Sequence, residues 1–432
     1  MHIFFSGIGG TGIGPLALIA KEAGYTVSGS DKQDSQYIDY LKAHGLTDIH
    51  IGQTEAAIAA VHQAKPIDWY VYSSALPKEN PEHPELVFVE AEKIRHSKRD
   101  EFLNHLLNEK NLKLLAIAGT HGKTTTTAMT VWLFEELGLP VSYSVGAKIS
   151  FGDMGKFDPA SQYFVYECDE FDRNFLAFHP YMSLITGVAW DHHEIFPTKE
   201  NYHEAFRQFI DQSERSIVWI EEQESLSLPA QDSYLVLDSN DSDIAKLKLH
   251  GLVNRQNAWQ ALNAVHELTK EPVEKLIGIM NEFPGLSRRM EQIVPNLYSD
   301  YAHTPEKIEG AMGTALEIAE EKSQKVVVVY EPLTNRRMHY TKEQHADIFK
   351  GASTIYWVPS YLAREDPAQP ILTPAELIEH LNPELKAIAK PMDLNDQLKA
   401  AITSHLEAHD IVLCLSGGGG NSLDEWLRAE FK

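Results

Sequence analysis

Apolar strand-like runs alternate with amphipathic helical stretches along the whole chain, which predicts an α/β protein whose mostly parallel sheets carry helices on both faces. Two glycine-rich loops strengthen this expectation. Each directly follows an apolar run and precedes a helical stretch, the place where a parallel sheet presents its ligand-binding edge. A length of 432 residues is too great for one hydrophobic core. Three blocks separate along the sequence, residues 1–105, 106–292 and 293–432, and each is expected to form its own sheet with flanking helices.

The first block opens on the run His2–Ser6, continues through runs at 24–31 and 69–74, and closes in the charged stretch 96–101. The second begins with the run 114–118 and contains further runs at Tyr163–Glu167, 182–186 and Ser216–Trp219. Its polar segment 221–243 reads as a surface hairpin or loop, and the block closes around 283–289. The third block has runs at 326–330, 354–358 and 411–415, the last followed by the glycines at 417–420.

Bulk composition narrows the function classes. At 43% hydrophobic and 23% charged residues the chain is an ordinary globular protein. A formal net charge of -24 argues against nucleic acid or an anionic membrane as a broad partner, so anionic ligands must bind in focused pockets. Two distant cysteines, Cys168 and Cys414, exclude a disulfide scaffold and suit a reducing cytoplasmic compartment. No run has the pattern of a signal peptide or a membrane span, so no membrane insertion is expected.

The loop Gly119-Thr120-His121-Gly122-Lys123-Thr124-Thr125-Thr126-Thr127 carries the most chemistry. Short glycine turns let backbone N–H groups converge on phosphate oxygens, a helix starting near Lys123 aims its positive end at them, and Lys123 adds a mobile charge. Thr124 is placed to hold Mg2+ through its hydroxyl. Residues Gly119, Thr120, His121, Gly122, Lys123, Thr124 and Thr125 therefore form the expected ATP cradle of a P-loop-type central ATPase domain. The general phosphate loop has a further glycine five positions before Gly122, where this chain has Ile117.

The first block has a second signature, Gly7-Ile8-Gly9-Gly10-Thr11-Gly12, with Asp31 at the end of the next run. This is a Rossmann-like arrangement in which glycines admit a diphosphate and the acid suits a ribose hydroxyl. A dinucleotide and a UDP-sugar satisfy it equally. Downstream, Glu167 ends the run Tyr163–Glu167, where its carboxylate can bind Mg2+ beside the Thr124 hydroxyl. His192, in Trp190-Asp191-His192-His193-Glu194, follows the run 182–186 and is suited to a second metal ion. A dehydrogenase has no need of the second phosphate loop.

Over nearly its whole length the chain resembles the Mur ligase family of peptidoglycan synthesis. Besides the phosphate loop, the matching elements are Gly251-Leu252-Val253-Asn254-Arg255-Gln256-Asn257-Ala258, Phe283-Pro284-Gly285-Leu286-Ser287-Arg288-Arg289-Met290-Glu291 and Asp300-Tyr301-Ala302-His303-Thr304-Pro305. The resemblance implies that Asn254 and Asn257 sit near the adenine, and that Arg289 and Asp300 contact ATP phosphate and ribose from a Rossmann-like third domain. It also implies a UDP-sugar site lined by Gly9, Gly10, Thr11, Gly12, Asp31, Ser73 and Ser74. The acceptor amine would be recognised by His303, Asn335 and Arg336.

The implied chemistry is attack of a substrate carboxylate on the γ-phosphate of ATP, giving an acyl phosphate that an amine converts to an amide. The implied catalytic groups are Lys123, Glu167, His192 and Arg289, with Thr124, Glu167 and His192 as Mg2+ ligands. Groups from the second and third blocks must meet around ATP, and closure would shield the acyl phosphate from water.

The first block and the four-threonine loop look most like the alanine-adding branch, so the expected substrates are UDP-N-acetylmuramate, ATP and L-alanine. Other branches carry a carbamylated lysine on the helix after the Asp-His element, where alignment on Tyr202 places Phe206 in this chain. Glu331-Pro332-Leu333-Thr334-Asn335 resembles the murein tripeptide recycling branch instead, leaving a short peptide as the alternative acceptor. A sensor that binds nucleotide and UDP-sugar without catalysis would have lost the charged groups, and none is lost. A monomer or weak homodimer is expected.

Overall fold

The structure is a computed structural model and describes residues 1–192, 195–363 and 365–432. Three sheets account for its strands. The first runs β1 (His2–Ser6), β2 (Thr26–Asp31), β3 (Ile49–Ile51), β4 (Trp69–Tyr72) and β5 (Arg95–Lys98), in the spatial order β3-β2-β1-β4-β5 with every pairing parallel. The strand order reverses between β1 and β4, which opens a crevice at their carboxyl ends.

The second sheet comprises β6 (Lys113–Ala118), β7 (Ser142–Ser144), β8 (Gly155–Lys156), β9 (Tyr163–Glu167), β10 (Met182–Ile185), β11 (Ser216–Trp219) and β12 (Tyr234–Leu237). Its order is β12-β11-β10-β6-β9-β7-β8, parallel except for the terminal β7–β8 pair. Both sheets lie in one compact unit, residues 1–247 with 257–283, and share a continuous apolar core. Phe5, Trp69 and Phe102 represent the first sheet in that core, and Phe164, Phe175 and Phe206 the second.

The other compact unit, residues 248–256 with 284–432, holds β13 (Glu291–Val294), β14 (Leu297–Asp300), β15 (Val326–Glu331), β16 (Ala352–Trp357), β17 (Ala389–Pro391) and β18 (Ile411–Ser416). Their order is β13-β14-β18-β15-β16-β17, with an antiparallel β13–β14 hairpin on a parallel sheet. The run in β15 shows why both faces need helices. Val326, Val328 and Tyr330 pack with Ile308, Met312 and Ala315 of the helix Pro305–Lys322, while Val327 and Val329 pack with Leu398, Ile402 and Leu427 on the opposite face.

Two local expectations are corrected. Segment 221–243 is not a hairpin or loop: the helix Ile220–Ser225 leads to β12, which pairs parallel with β11. Parallel neighbours need a crossover, and the apolar run Tyr234–Leu237 supplies the strand that its polar surroundings mask. The charged stretch 96–101 is not a block end either. It divides between edge strand β5 and the helix Arg99–Glu109, since an edge strand tolerates charge. Cys168 and Cys414 are both free and buried. Among the described residues, no helix is long and apolar enough to cross a membrane.

The hairpin of the third sheet is pinned by charge. Arg428 donates in a fork to Glu291, at 2.9 Å to Oε1 and 2.6 Å to Oε2, and the Arg288 N–H and Ser287 hydroxyl each donate to Oε2 at 2.9 Å. Burial opposes ionisation of Glu291, but these donors outweigh it and bring its pKa from 4.5 to about 2. A depressed carboxylate contributes stability that is present above its unfolded pKa and lost as pH falls towards about 2. Glu291→Gln is therefore expected to cost roughly 2–3 kcal/mol at neutral pH. Denaturant melts should show that deficit shrinking below pH 4.5 and vanishing near pH 2.

Candidate active site

Strands β10, β6 and β9 are parallel neighbours, so the segments that follow them share one edge of the second sheet. β6 runs into the 119–122 loop, β9 ends on Glu167, and β10 leads towards His192. The loop needs its glycines. Gly119 has φ +147°, and a Cβ there would strike the Thr186 hydroxyl and lie 2.9 Å from the Gly187 carbonyl. Gly122 has φ +76°, and its Cβ would lie 2.5 Å from Asn257 Oδ1.

Thr120 anchors the same turn. Its N–H donates to the Gly187 carbonyl at 2.8 Å, its hydroxyl donates to the Ala189 carbonyl at 2.7 Å, and the same Thr120 Oγ1 lies 2.7 Å from the Tyr202 hydroxyl. The backbone of His121 is held too, because its carbonyl accepts from the Thr186 hydroxyl. The helix Lys123–Glu136 then starts on Gly122 without a side-chain cap, which leaves its first N–H groups for an anion. Thr124 and Thr125 are each 8% exposed at this edge, whereas Thr126 and Thr127 are fully buried. The Thr127 hydroxyl donates back to the Lys123 carbonyl at 2.8 Å, so the last threonine of the loop serves the helix.

Thr124 donates its hydroxyl to Glu167 Oε1 at 3.0 Å, and the Gly146 N–H fixes Oε2 at 3.1 Å. Two hard oxygens at this separation match adjacent ligands of an octahedral Mg2+ with bonds of about 2.1 Å, so the residues present fit that ion. Lys123 donates to the Gly119 carbonyl at 2.5 Å and to Glu170 Oε2 at 2.7 Å. Burial disfavours the charged ammonium, but Glu170, Asp169 and Glu167 together hold its pKa above the ordinary lysine value. The other Glu170 oxygen lies 3.8 Å from His192 Nε2. His192 has φ +53° and packs edge-on against Phe171. His193 and Glu194, named with it in the sequence, lie outside the described residues.

On the helix Lys199–Asp211, Phe206 is fully buried between Phe175 and Tyr202. Asn254 and Asn257 lie on the helix Leu252–Thr269. Asn257 is buried against Gly122, whereas Asn254 is half-buried and donates to the His250 carbonyl at 2.9 Å.

In the first sheet, the 7–12 loop follows β1 and Ser73 and Ser74 follow β4, on either side of the crevice where the strand order reverses. Both serines are half-buried. Gly9 donates its N–H to Asp31 Oδ2 at 2.8 Å, so this acid braces the loop as well as ending β2. A Cβ on Gly10 would lie 3.2 Å from the Gly7 carbonyl, one on Gly12 would strike the Arg99 guanidinium, and Thr11 between them is exposed.

In the second compact unit, Asp300 ends β14 and accepts from the Met290 N–H at 2.8 Å and the Ala302 N–H at 2.9 Å. Burial raises the pKa of its carboxyl, opposed chiefly by Arg289. Arg289 lies over the Tyr301 ring with its guanidinium carbon 5.0 Å from the centroid. His303, buried and bonded to the Tyr301 carbonyl at 2.8 Å, is held well below the usual histidine pKa by burial and then by Lys307 and Arg337. Asn335 is fully buried and bonded to backbone through both ends of its amide, donating to the Pro370 carbonyl at 3.1 Å and accepting from the Leu372 N–H at 2.8 Å. Arg336 is exposed.

Known proteins share this fold and its sequence patterns. The pattern described as "Mur ligase family, catalytic domain" matches residues 2–111, and "Mur ligase middle domain" matches 117–250. The chain belongs to the Mur ligase family. Among curated relatives, this Mur ligase is 29% identical over 399 residues to a UDP-N-acetylmuramate–L-alanine ligase of Caldicellulosiruptor bescii, covering 84% of each chain. It is 28% identical over 466 residues to the enzyme of that name from Carboxydothermus hydrogenoformans, covering 98% of this chain and 95% of that one.

Two solved structures share its fold. UDP-N-acetylmuramate-alanine ligase MurC of Thermotoga maritima aligns at TM-score 0.77 and 21% identity, covering 100% of this chain and 98% of that one. A murein peptide ligase of Psychrobacter arcticus aligns at TM-score 0.64 and 21% identity with the same coverage. As a Mur ligase the protein is an ATP-dependent ligase of peptidoglycan synthesis.

Sequence reasoning passed over three residues of this Mur ligase. Glu170 stands close to Glu167, Asp169 and Asp172 with nothing in its spacing to single it out, Tyr202 serves only to align Phe206, and Arg99 lies within the charged stretch 96–101. Arg99 pairs with Asp169 at 3.5 Å, while Lys78 and Lys98 hold Asp172 at 2.7 and 3.0 Å, so the segment after Glu167 is fastened to the first sheet.

Because Gly122 combines a left-handed backbone with a crowded Cβ position, Gly122→Ala is expected to weaken ATP binding at least tenfold. Gly138 has φ +67° but open space around it. Gly138→Ala should therefore cost only about 1–2 kcal/mol of stability. Calorimetric ATP titration of both variants separates the two effects, and equal losses of affinity would contradict the crowding argument.

Proposed function

We propose that this Mur ligase joins L-alanine to the carboxylate of UDP-N-acetylmuramate, with ATP converted to ADP and phosphate through an acyl phosphate. The observation that carries the reading is the meeting of Lys123, Thr124 and Glu167 at the carboxyl edge of β6 and β9, in a chain whose full-length relatives bear that name. In this reading residues 1–105 bind the UDP-sugar, 106–292 bind ATP, and 293–432 bind the acceptor. The cytoplasm and a monomeric or weakly dimeric state accompany it.

Each group has a physical task. The 7–12 loop and Ser73 and Ser74 receive the diphosphate of the UDP-sugar at the β1–β4 crevice, with Asp31 keeping the loop in shape. The 119–125 loop and Lys123 orient the triphosphate, Asn254 and Asn257 serve the adenine, and Arg289 and Asp300 serve phosphate and ribose. Thr124 and Glu167 would hold one Mg2+ and His192 a second. When bound, these ions supply positive charge that offsets repulsion between the attacking carboxylate and the γ-phosphate. His303, kept neutral by its burial, and the exposed Arg336 face the acceptor, and Asn335 ties the start of the helix that carries Arg336 to the segment 370–372.

A second acceptor is favoured by one feature. The segment Glu331-Pro332-Leu333-Thr334-Asn335 in the third sheet resembles murein tripeptide ligases, and the fold is shared with one. Mass spectrometry of products formed from UDP-N-acetylmuramate with L-alanine and the tripeptide in competition decides between them. The alanyl adduct is expected, and preferential tripeptide transfer would overturn the choice of L-alanine. Lys123→Ala should lower amine-dependent phosphate release by roughly two to three orders of magnitude while leaving UDP-sugar binding unchanged. Near wild-type release by that variant would contradict the role of the loop.

A further inference from the structure

Glu170 is the most deeply buried ionised partner at this edge, with its side chain only 2% exposed. A carboxylate so far from water must keep a cation beside it, because an unpaired buried charge costs several kcal/mol. In the structure Lys123 fills that role through Glu170 Oε2, at 2.7 Å. An ammonium has three N–H donors, and Lys123 already commits two of them, to Gly119 and Glu170. A lysine that bridges two phosphate oxygens must give up one of these bonds. Whichever is lost, the triphosphate brings several negative charges to the rim of a carboxylate that has no solvent to screen it.

The second Glu170 oxygen indicates how that charge is balanced. Oε1 faces His192 Nε2 across 3.8 Å, too long for a hydrogen bond but within the span of two ligands on one small divalent ion. Phe171 packs edge-on against the imidazole, and Tyr202 is near enough to the carboxylate that its phenol pKa is raised by burial and then by Glu170. The helix that carries Tyr202 turns the aromatic Phe206 inward and brings no carboxylate of its own from that position.

We propose that Glu170 is a ligand of the second divalent ion, shared with His192, and that Lys123 and this ion exchange places on its carboxylate as the triphosphate binds. The inference deepens the functional reading above and rests on its assignment of His192. Glu170 thereby links release of the phosphate-binding lysine to filling of the second metal site. An ion held by one carboxylate, one imidazole and phosphate oxygens matches the sparse protein coordination of phosphate-bound divalent metals.

The test is Mn2+ titration followed by electron paramagnetic resonance, with a non-hydrolysable β,γ-imido analogue of ATP present or absent. Wild-type protein with the analogue is expected to take up two Mn2+ ions. Glu170→Gln should bind the second at least tenfold more weakly and keep the first, at Thr124 and Glu167, at wild-type affinity. Lys123→Met should shift oppositely: removal of the competing ammonium lets Mn2+ bind at Glu170 without nucleotide, at least tenfold more tightly than in the wild type. That gain keeps the proposal testable should Glu170→Gln fail to fold. Two ions of unchanged affinity in Glu170→Gln, or no gain in Lys123→Met, would overturn the exchange while leaving the ligase reading intact. Uptake of a single ion by the wild type would overturn both the exchange and the two-ion part of that reading.

Discussion

Lys123 and Glu170, held 2.7 Å apart and both largely withdrawn from water, impose the constraint around which the site is arranged. A buried ion pair is stable only when its geometry is good and its remaining hydrogen-bonding capacity is satisfied. The chain meets this by drawing each participant from the end of a different parallel strand. Lys123 follows β6, Glu170 follows β9 and His192 follows β10, and these three strands are neighbours in the sheet. Parallel order puts their carboxyl ends on one edge, so three groups distant in sequence converge without any long loop having to be ordered.

The glycines and the small polar side chains follow from the same constraint. A phosphate-sized anion can approach the backbone only where no Cβ intrudes, and Gly119 and Gly122 both stand where one would collide. Thr120 ties the loop to the segment that follows β10, and Tyr202 ties it to the helix behind. The segment bearing Glu170 is itself moored to the first sheet through Arg99–Asp169 and the Asp172 pairs with Lys78 and Lys98. Arg99 also lies against Gly12, so one side chain touches the loop proposed for the UDP-sugar and the segment that positions Lys123. The two edges proposed to bind phosphate are thus mechanically connected within one compact unit.

Much of this was legible in the sequence, for identifiable reasons. Runs such as Val326–Glu331, apolar on both faces, mark central parallel strands unambiguously, and glycine loops directly after a strand mark ligand edges. Short edge strands were not legible: Ile49–Ile51 and Ala389–Pro391 are too brief for a period to show, and Arg95–Lys98 is charged because an edge permits it. The partner of Lys123 was equally hidden. Glu167, Asp169 and Glu170 stand close together in the chain, and only the path of the backbone after β9 sends Glu167 to Thr124 and Glu170 to Lys123. Asn335 shows the converse, since a polar residue in a motif turns its amide to the backbone of the 370–372 segment.

The account stands on activation of a carboxylate by transfer of the γ-phosphoryl group, and isotope transfer tests that step most directly. UDP-N-acetylmuramate labelled with oxygen-18 in its carboxylate should pass one labelled oxygen to inorganic phosphate for every amide formed, because the acyl phosphate breaks at its carbonyl carbon when the amine attacks. Phosphate released during amide formation without label would show that the carboxylate never attacks ATP, and would contradict the mechanism.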